Sequence, residues 1–194
     1  MVSNQTNHRA VFEKNISYIS KNPEPMKPIL LLVLTLSGIS MTMAQTTNYE
    51  DKVKTIDSTI ETLYAVISGE KGEARDWELF EYLFIPEAHL IPSGINTETG
   101  YRVMTPSEYV KTSGAYLEEN GFFEKEISRK TDRFGNIVQL FSTYESYHSE
   151  SDEKPFSRGI NSIQLFYDGS RWWVLNIFWQ SETEAFPIPR KYLD

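Results

Sequence analysis

The sequence predicts an α+β fold, with helices first and a long, mainly antiparallel sheet after them. Three observations carry this reading. Val53, Ile56, Ile60, Leu63 and Ile67 recur at steps of three and four, the stripe of one buried helix face. Beyond Gly121 the apolar period changes to two, the period of a strand. Phe134-Gly135-Asn136 and Asp168-Gly169-Ser170 then read as tight turns between runs of strand length.

The elements follow in order. Asn48 is a candidate cap for the first helix, and Gly69 and Gly72 end it. A second helix is expected over 74–84, with Trp77, Phe80, Leu83 and Phe84 apolar and Pro86 as its stop. His89-Leu90-Ile91 reads as a short strand closed by Pro92-Ser93-Gly94, and 101–104 as a segment pairing back onto it. Thr105-Pro106-Ser107-Glu108 has the form of a helix start, with Pro106 in the first helical position. That third helix carries Tyr109, Val110 and Tyr116 and ends near Gly121. Four strands are expected over 122–132, 137–147, 156–167 and 171–181, with a solvated loop at 149–154 and an extended, proline-bearing tail from Ala185.

The chain has 194 residues, among them 11 Tyr, 11 Phe and 4 Trp, enough large side chains for a substantial core. Lys27, the apolar run from Ile29 to Ile39, and the small residues Thr42 and Ala44 form the three parts of a secretory signal, too short to span a bilayer comfortably. The sequence thus predicts a cleaved signal over 26–44, a mature chain beginning at Gln45, and one domain over 45–194. Residues 1–25 are polar and patternless and read as an over-extended start before Met26. The product is expected to be exported, periplasmic or extracellular, with no stable membrane anchor after cleavage. The first 44 residues hold four basic side chains (Arg9, Lys14, Lys21, Lys27) and two acidic ones (Glu13, Glu24), which leaves 15 basic against 25 acidic, net −10, in the rest. Such a charge repels phosphate backbones, so no nucleic-acid partner is expected. The sequence contains no cysteine, which excludes disulfides, thiolate metal sites, cysteine nucleophiles and a lipid-anchored cysteine.

Several motifs together resemble one family. Leu83-Phe84-Ile85-Pro86-Glu87-Ala88 is similar to the helix-to-first-strand element of the nuclear-transport-factor-2-like (SnoaL-like) superfamily. Gly121-Phe122-Phe123-Glu124, Arg133-Phe134-Gly135-Asn136-Ile137 and Ser142-Thr143-Tyr144-Glu145-Ser146 resemble an exported bacterial subgroup of it. So do 158–165, Arg171-Trp172-Trp173, Trp179-Gln180-Ser181-Glu182 and the closing Ile188-Pro189 with Tyr192-Leu193. The resemblance implies a cone of three helices over a curved sheet, with a pocket at its open end. It does not select an activity, because the superfamily holds isomerases, dehydratases, hydrolases, cyclases and binding proteins. In members resembling ketosteroid isomerase an Asp base lies just past the first strand. That place falls here on Ile91-Pro92, and neither residue can move a proton.

Candidate site residues come from the strands. An odd-sum register in the last hairpin would put Gly159, Asn161, Ile163 and Leu165 on one face with Trp172, Val174, Asn176 and Phe178. Arg158, Ser162 and Gln164 would share the other with Trp173, Trp179 and Ser181. Asn161 and Asn176 would then be close across the strands, as buried amides that a ligand can satisfy. Tyr144 and Trp77 join them as candidate ligand-binding residues, and Arg158, Gln164, Trp173 and Trp179 form the alternative face. His89 is the candidate general base if the protein is an enzyme. Glu124 and Glu126, two apart on one strand, form a carboxylate pair that can divide acid and base roles; the simpler reading is a solvated face, or partners for Arg129 and Lys130. No metal site and no cofactor are expected, and phosphate-loop, dinucleotide, G-x-S-x-G and H-E-x-x-H motifs are absent. Two largely apolar sheet faces predict a homodimer.

Two functions remain open on this reading. One is a pocket that binds a small apolar molecule without chemistry. The other is a cofactor-free acid–base enzyme of isomerase, dehydratase or cyclase type on a lipophilic substrate, with His89 or a strand carboxylate as base. An ionisable group at the cavity floor beside a second polar group would separate them.

Overall fold

A computed structural model describes residues 48–95 and 97–194; the expected signal at 26–44 and over-extended start at 1–25 lie outside them. Three helices pack on a five-stranded sheet: α1 (Ile56–Ile67), α2 (Trp77–Tyr82), β1 (Phe84–Ser93), α3 (Pro106–Asn120), β2 (Phe123–Phe134), β3 (Ile137–Tyr147), β4 (Ser157–Tyr167) and β5 (Trp172–Ser181). Strand order is β1-β5-β4-β3-β2. Among the described residues only the β1–β5 pair is parallel, which the long connection between these strands permits. The architecture is the expected α+β cone.

Local chemistry corrects several boundaries. Asn48 accepts the Glu50 N–H at 3.0 Å, but it starts only a 3-10 turn at Glu50–Val53. Helix α1 begins at Thr55, whose hydroxyl accepts the Ser58 N–H at 3.0 Å while the Ser58 hydroxyl accepts the Thr55 N–H at 3.1 Å. Asp76 caps α2 by accepting the Leu79 N–H at 2.9 Å, so this helix is shorter than 74–84. Leu83 and Phe84 leave it for β1, where the Leu83 carbonyl accepts the Val174 N–H at 2.9 Å. The strand therefore starts five residues before His89. Thr105 and Glu108 form the capping box of α3, with Pro106 in its first turn. Gly121 ends α3 at φ 72°, a conformation open to glycine, and a Cβ there would also meet the His148 carbonyl.

Two β-bulges decide which side chains face the helices. In β5 the pairing Leu165↔Val174 changes to Gln164↔Asn176, so Leu175 is the extra residue and the alternation reverses beyond it. Asn161 then pairs with Trp179, and Asn176 leaves the face on which the odd-sum register put it with Asn161. In β2 the pairing slips between Glu126 and Ser128. That slip places Glu126 and Arg129, three apart, on one face, where they pair through both guanidinium edges at 2.8 and 2.5 Å. Buried Val138, Leu140, Ile163, Leu165 and Val174 form the sheet side of the core against Ile60, Leu63 and Phe80. The outer face is partly covered by the tail: the Tyr192 ring lies 5.4 Å from Phe141, and its carbonyl accepts the Thr143 hydroxyl at 2.6 Å. The rest of that face, which the expected homodimer concerns, exposes Ile137, Phe166 and Phe178. Among the described residues no helix is long and apolar enough to cross a membrane.

The buried guanidinium of Arg75 fastens the helices together. It donates to the carbonyls of Ile67 at 3.2 Å and Gly69 at 2.6 Å, at the end of α1, and to Leu117 at 3.3 Å in the last turn of α3. Neither helix has a basic residue of its own in its last turn, so Arg75 supplies the donors both ends lack. Arg75→Met should therefore lower the free energy of urea unfolding by about 3 kcal/mol, through orphaned buried carbonyls. A loss below about 1 kcal/mol would contradict this role.

Candidate functional site

A cavity of about 290 Å³ lies between the helices and the inner sheet face. Leu63, Ile67, Phe80, Leu90, Leu117, Phe122, Ile177 and Trp179 make most of its wall apolar. Polar groups on its wall include Tyr64 from α1, Tyr109 and Ser113 from α3, Glu124 from β2, Tyr144 and Ser146 from β3, and Asn161 from β4. A largely apolar pocket with a few placed polar groups is the usual form of a small-molecule site.

Among the described residues of this wall, Glu124 supplies the carboxyl group. It is opposite Ser146 in the β2–β3 ladder, and the Ser146 hydroxyl donates to its Oε2 at 3.1 Å. The Asn161 amide donates to Oε1 at 3.2 Å. The Glu124 side chain as a whole is half-buried, but the packing around its carboxyl pushes that group up to about 7, and the hydrogen bonds from Asn161 and Ser146 offset only part of that rise. Glu126, its neighbour two residues on, is held by Arg129 and by the Ser142 hydroxyl instead. The two carboxylates thus have separate environments, one facing an apolar cavity and one in an ion pair.

Three phenols surround Glu124. The Tyr64 hydroxyl lies 2.6 Å from that of Ser142 and accepts from Asn161 at 3.0 Å, and burial with the nearby Glu124 charge raises it far above the ordinary tyrosine value. The Tyr109 hydroxyl has no hydrogen-bond partner among the described residues; burial, then the Glu124 charge, raise its pKa. Tyr144 is pushed up to about 12 by burial, and its hydroxyl meets Ser181 at 3.1 Å. Gly159 makes room for it, since a Cβ there would lie 2.6 Å from the Tyr144 oxygen. All three stay neutral at physiological pH and so can donate protons in hydrogen bonds.

The other sequence candidates are dispersed. Asn161, Tyr144 and Trp179 line the cavity; Trp179 lies edge-on to Tyr109 at 6.4 Å. Asn176 is on the outer face opposite Gln164 because of the Leu175 bulge. His89 is exposed between buried Ala88 and Leu90, so period two points it away from the cavity, and it is not placed to act as base there. Trp77 lies beneath Gly114 of α3, where a Cβ would come within 3.2 Å of its ring, and donates to Glu118 at 2.8 Å. It packs two helices and does not line the cavity. Arg158 pairs with Glu182, Gln164 donates to Gln139 at 3.1 Å, and Trp173 donates to Asp168 at 2.6 Å beside the Arg171 guanidinium. These three do not form one alternative site. Among the described residues no group of three or more His, Asp or Glu is arranged to hold a metal ion.

Tyr64, Tyr109 and Ser146 are cavity residues that the sequence reading did not single out for chemistry. Tyr64 carried a signal, because it follows Ile60 by four residues and so lies on the buried stripe.

No protein-family model matches the chain, and no curated protein matches it. Solved structures do match. An NTF2-like protein of unknown function from Pseudomonas putida is 12% identical with a TM-score of 0.52, over 69% of this chain and 90% of that one. A candidate calcium/calmodulin-dependent protein kinase II association domain from Xanthomonas campestris is 12% identical with a TM-score of 0.51, over 66% and 86%. A candidate scytalone dehydratase from Novosphingobium aromaticivorans is 14% identical with a TM-score of 0.50, over 66% and 82%. At these identities the likeness is one of fold, and the fold is NTF2-like.

A carboxyl raised by burial links stability to pH. The folded protein holds the Glu124 proton to about pH 7, whereas an ordinary glutamate releases it near 4.5. Between those values the folded state binds more protons, so stability falls as pH rises through the window. The loss is complete above about pH 7 and amounts to about 3 kcal/mol. Glu124→Gln should therefore match the wild type in urea unfolding at pH 4.5 and exceed it at pH 8. An equal difference at both pH values would contradict a buried, titrating Glu124.

Proposed function

We propose that the cavity binds a small, largely apolar molecule and that Glu124 acts on it as a general base. One observation carries this: the carboxyl group on the cavity wall is held by Asn161 and Ser146, while the wall around it is mostly apolar. A base whose pKa lies near 7 is half-charged at neutral pH and transfers protons efficiently in both directions. Tyr109 supplies the second part. Its neutral, unpartnered hydroxyl faces the same cavity and can donate to a ligand oxygen as negative charge develops there. Together the two groups support removal of a proton beside a carbonyl, with the chain's own side chains doing the chemistry. The other reading, a pocket that only binds, is favoured by the apolar wall alone and is separated by experiment.

The test follows hydrogen exchange into D₂O by proton NMR for a panel of one- and two-ring ketones whose binding is first established by thermal shift. Ketones that bind the wild type should exchange their α-hydrogens, and Glu124→Gln should bind them but exchange them at least about 100-fold more slowly. Binding without exchange above the buffer rate overturns the catalytic role and leaves a binding protein. Equal exchange by the two proteins excludes Glu124 as the base.

A further inference from the structure

We propose that the cavity selects a molecule carrying a hydrogen-bond donor, such as a hydroxyl, and that Ser142 sets this preference by fixing which way the Asn161 amide points. This deepens the reading of the cavity as a small-molecule site and is independent of whether Glu124 performs chemistry.

One chain of hydrogen bonds fixes where each of its protons lies. Arg129 carries donors alone, and two of its edges go to Glu126 while a third reaches Asp57 at 2.7 Å. Glu126, paired in this way, is an acceptor. The Ser142 hydroxyl has one proton and donates it to Glu126. Its oxygen, 2.6 Å from the Tyr64 hydroxyl, must then accept from Tyr64. The one Tyr64 proton is now used, so the Tyr64 oxygen can only accept, and the group facing it at 3.0 Å is the Asn161 amide nitrogen. The second N–H of Asn161 goes to Glu124 at 3.2 Å.

From Asn161 through Tyr64 and Ser142 each bond thus points toward the Glu126–Arg129 ion pair, and the second Asn161 N–H is taken by Glu124. An asparagine side chain taken alone can turn its oxygen and nitrogen about. Here the direction is set two residues away, and both N–H groups are taken. What remains is the Asn161 carbonyl oxygen, which has no partner among the described residues and is not sealed off from open space. Asn161 lines the cavity, so an acceptor is presented there beside the Glu124 carboxyl. A ligand with a hydroxyl at this place satisfies the exposed acceptor. A ligand with only an ether or carbonyl oxygen there leaves it unpaired and places a second acceptor against it. Ser142 is fully buried and does not line the cavity, so it acts as a positioning residue.

The experiment uses 2-naphthol and 2-methoxynaphthalene, which differ in whether their oxygen can donate, and measures equilibrium binding of each to the full chain by NMR titration. The wild type should bind 2-naphthol at least about tenfold more tightly, and Ser142→Ala should reduce this ratio at least about fivefold. With Ser142 removed, Tyr64 can turn its proton toward Asn161 and release the amide to rotate. Tyr64→Phe, which cuts the chain at its middle, should reduce the ratio as well and serves if Ser142→Ala does not fold. Because Glu124 is intact in both variants, its own preference for donors does not explain a reduced ratio. A second readout needs no variant: both side-chain amide protons of Asn161 should exchange slowly with solvent in the free protein. Equal binding of the probes, binding of neither, a full ratio in the variants, or fast exchange of the Asn161 amide overturns the proposal. A failure of Glu124 to exchange ketone hydrogens leaves these outcomes unchanged.

Discussion

The carboxyl group of Glu124 occupies a place where an ionised group is costly, and the polarity of its surroundings follows from that. An isolated carboxylate facing an apolar wall loses its hydration. Two hydrogen bonds, from Ser146 and Asn161, replace part of it. They offset part of the desolvation without cancelling it, which is why the group is held near neutrality and not in the ordinary carboxylate range. Fully paired with a cation it would be inert, as Glu126 is beside Arg129. The difference between two glutamates two residues apart lies in what faces them.

Backbone irregularity creates that difference. The slip in β2 after Glu126 brings Arg129 onto the inner face, so that Glu126 gains an ion pair while Glu124, nearer the start of the strand, keeps only neutral donors. The bulge at Leu175 in β5 brings Trp179 into line with Asn161 and sends Asn176 to the outer face. Bulges also bend and twist the strands that hold them, which suits a sheet curved around a cavity. Two extra residues therefore settle both the shape of the pocket and its composition.

Much of the fold was legible in the sequence because it rests on period and punctuation. The switch from steps of three and four to steps of two at Gly121 marked the boundary between helices and sheet. The turns at Gly135 and Gly169 separated β2 from β3 and β4 from β5. The motifs at 83–88 and 121–124 pointed to the family whose fold the solved structures share. The site was less legible for a physical reason. A bulge is one unpaired residue with no required side chain, so the sequence does not announce it. An unbroken register put Asn176 beside Asn161 and Trp179 on the far face, and both assignments reversed beyond Leu175. His89 drew attention through its chemistry, yet its burial is decided by Ala88 and Leu90 on either side. Glu124 was visible as half of a carboxylate pair, but that its neighbour Glu126 alone gains Arg129 depends on the β2 slip.

Acid–base chemistry in the cavity requires that Glu124 titrate well above an ordinary glutamate in the free protein. The direct measurement is the carbon-13 chemical shift of its side-chain carboxyl against pH, assigned by its disappearance in Glu124→Gln. The expected midpoint is near 7, well apart from solvent-exposed glutamates at about 4.3. A Glu124 carboxyl that titrates with the exposed glutamates would show a hydrated, ordinary side chain, and the acid–base reading of the cavity would be contradicted.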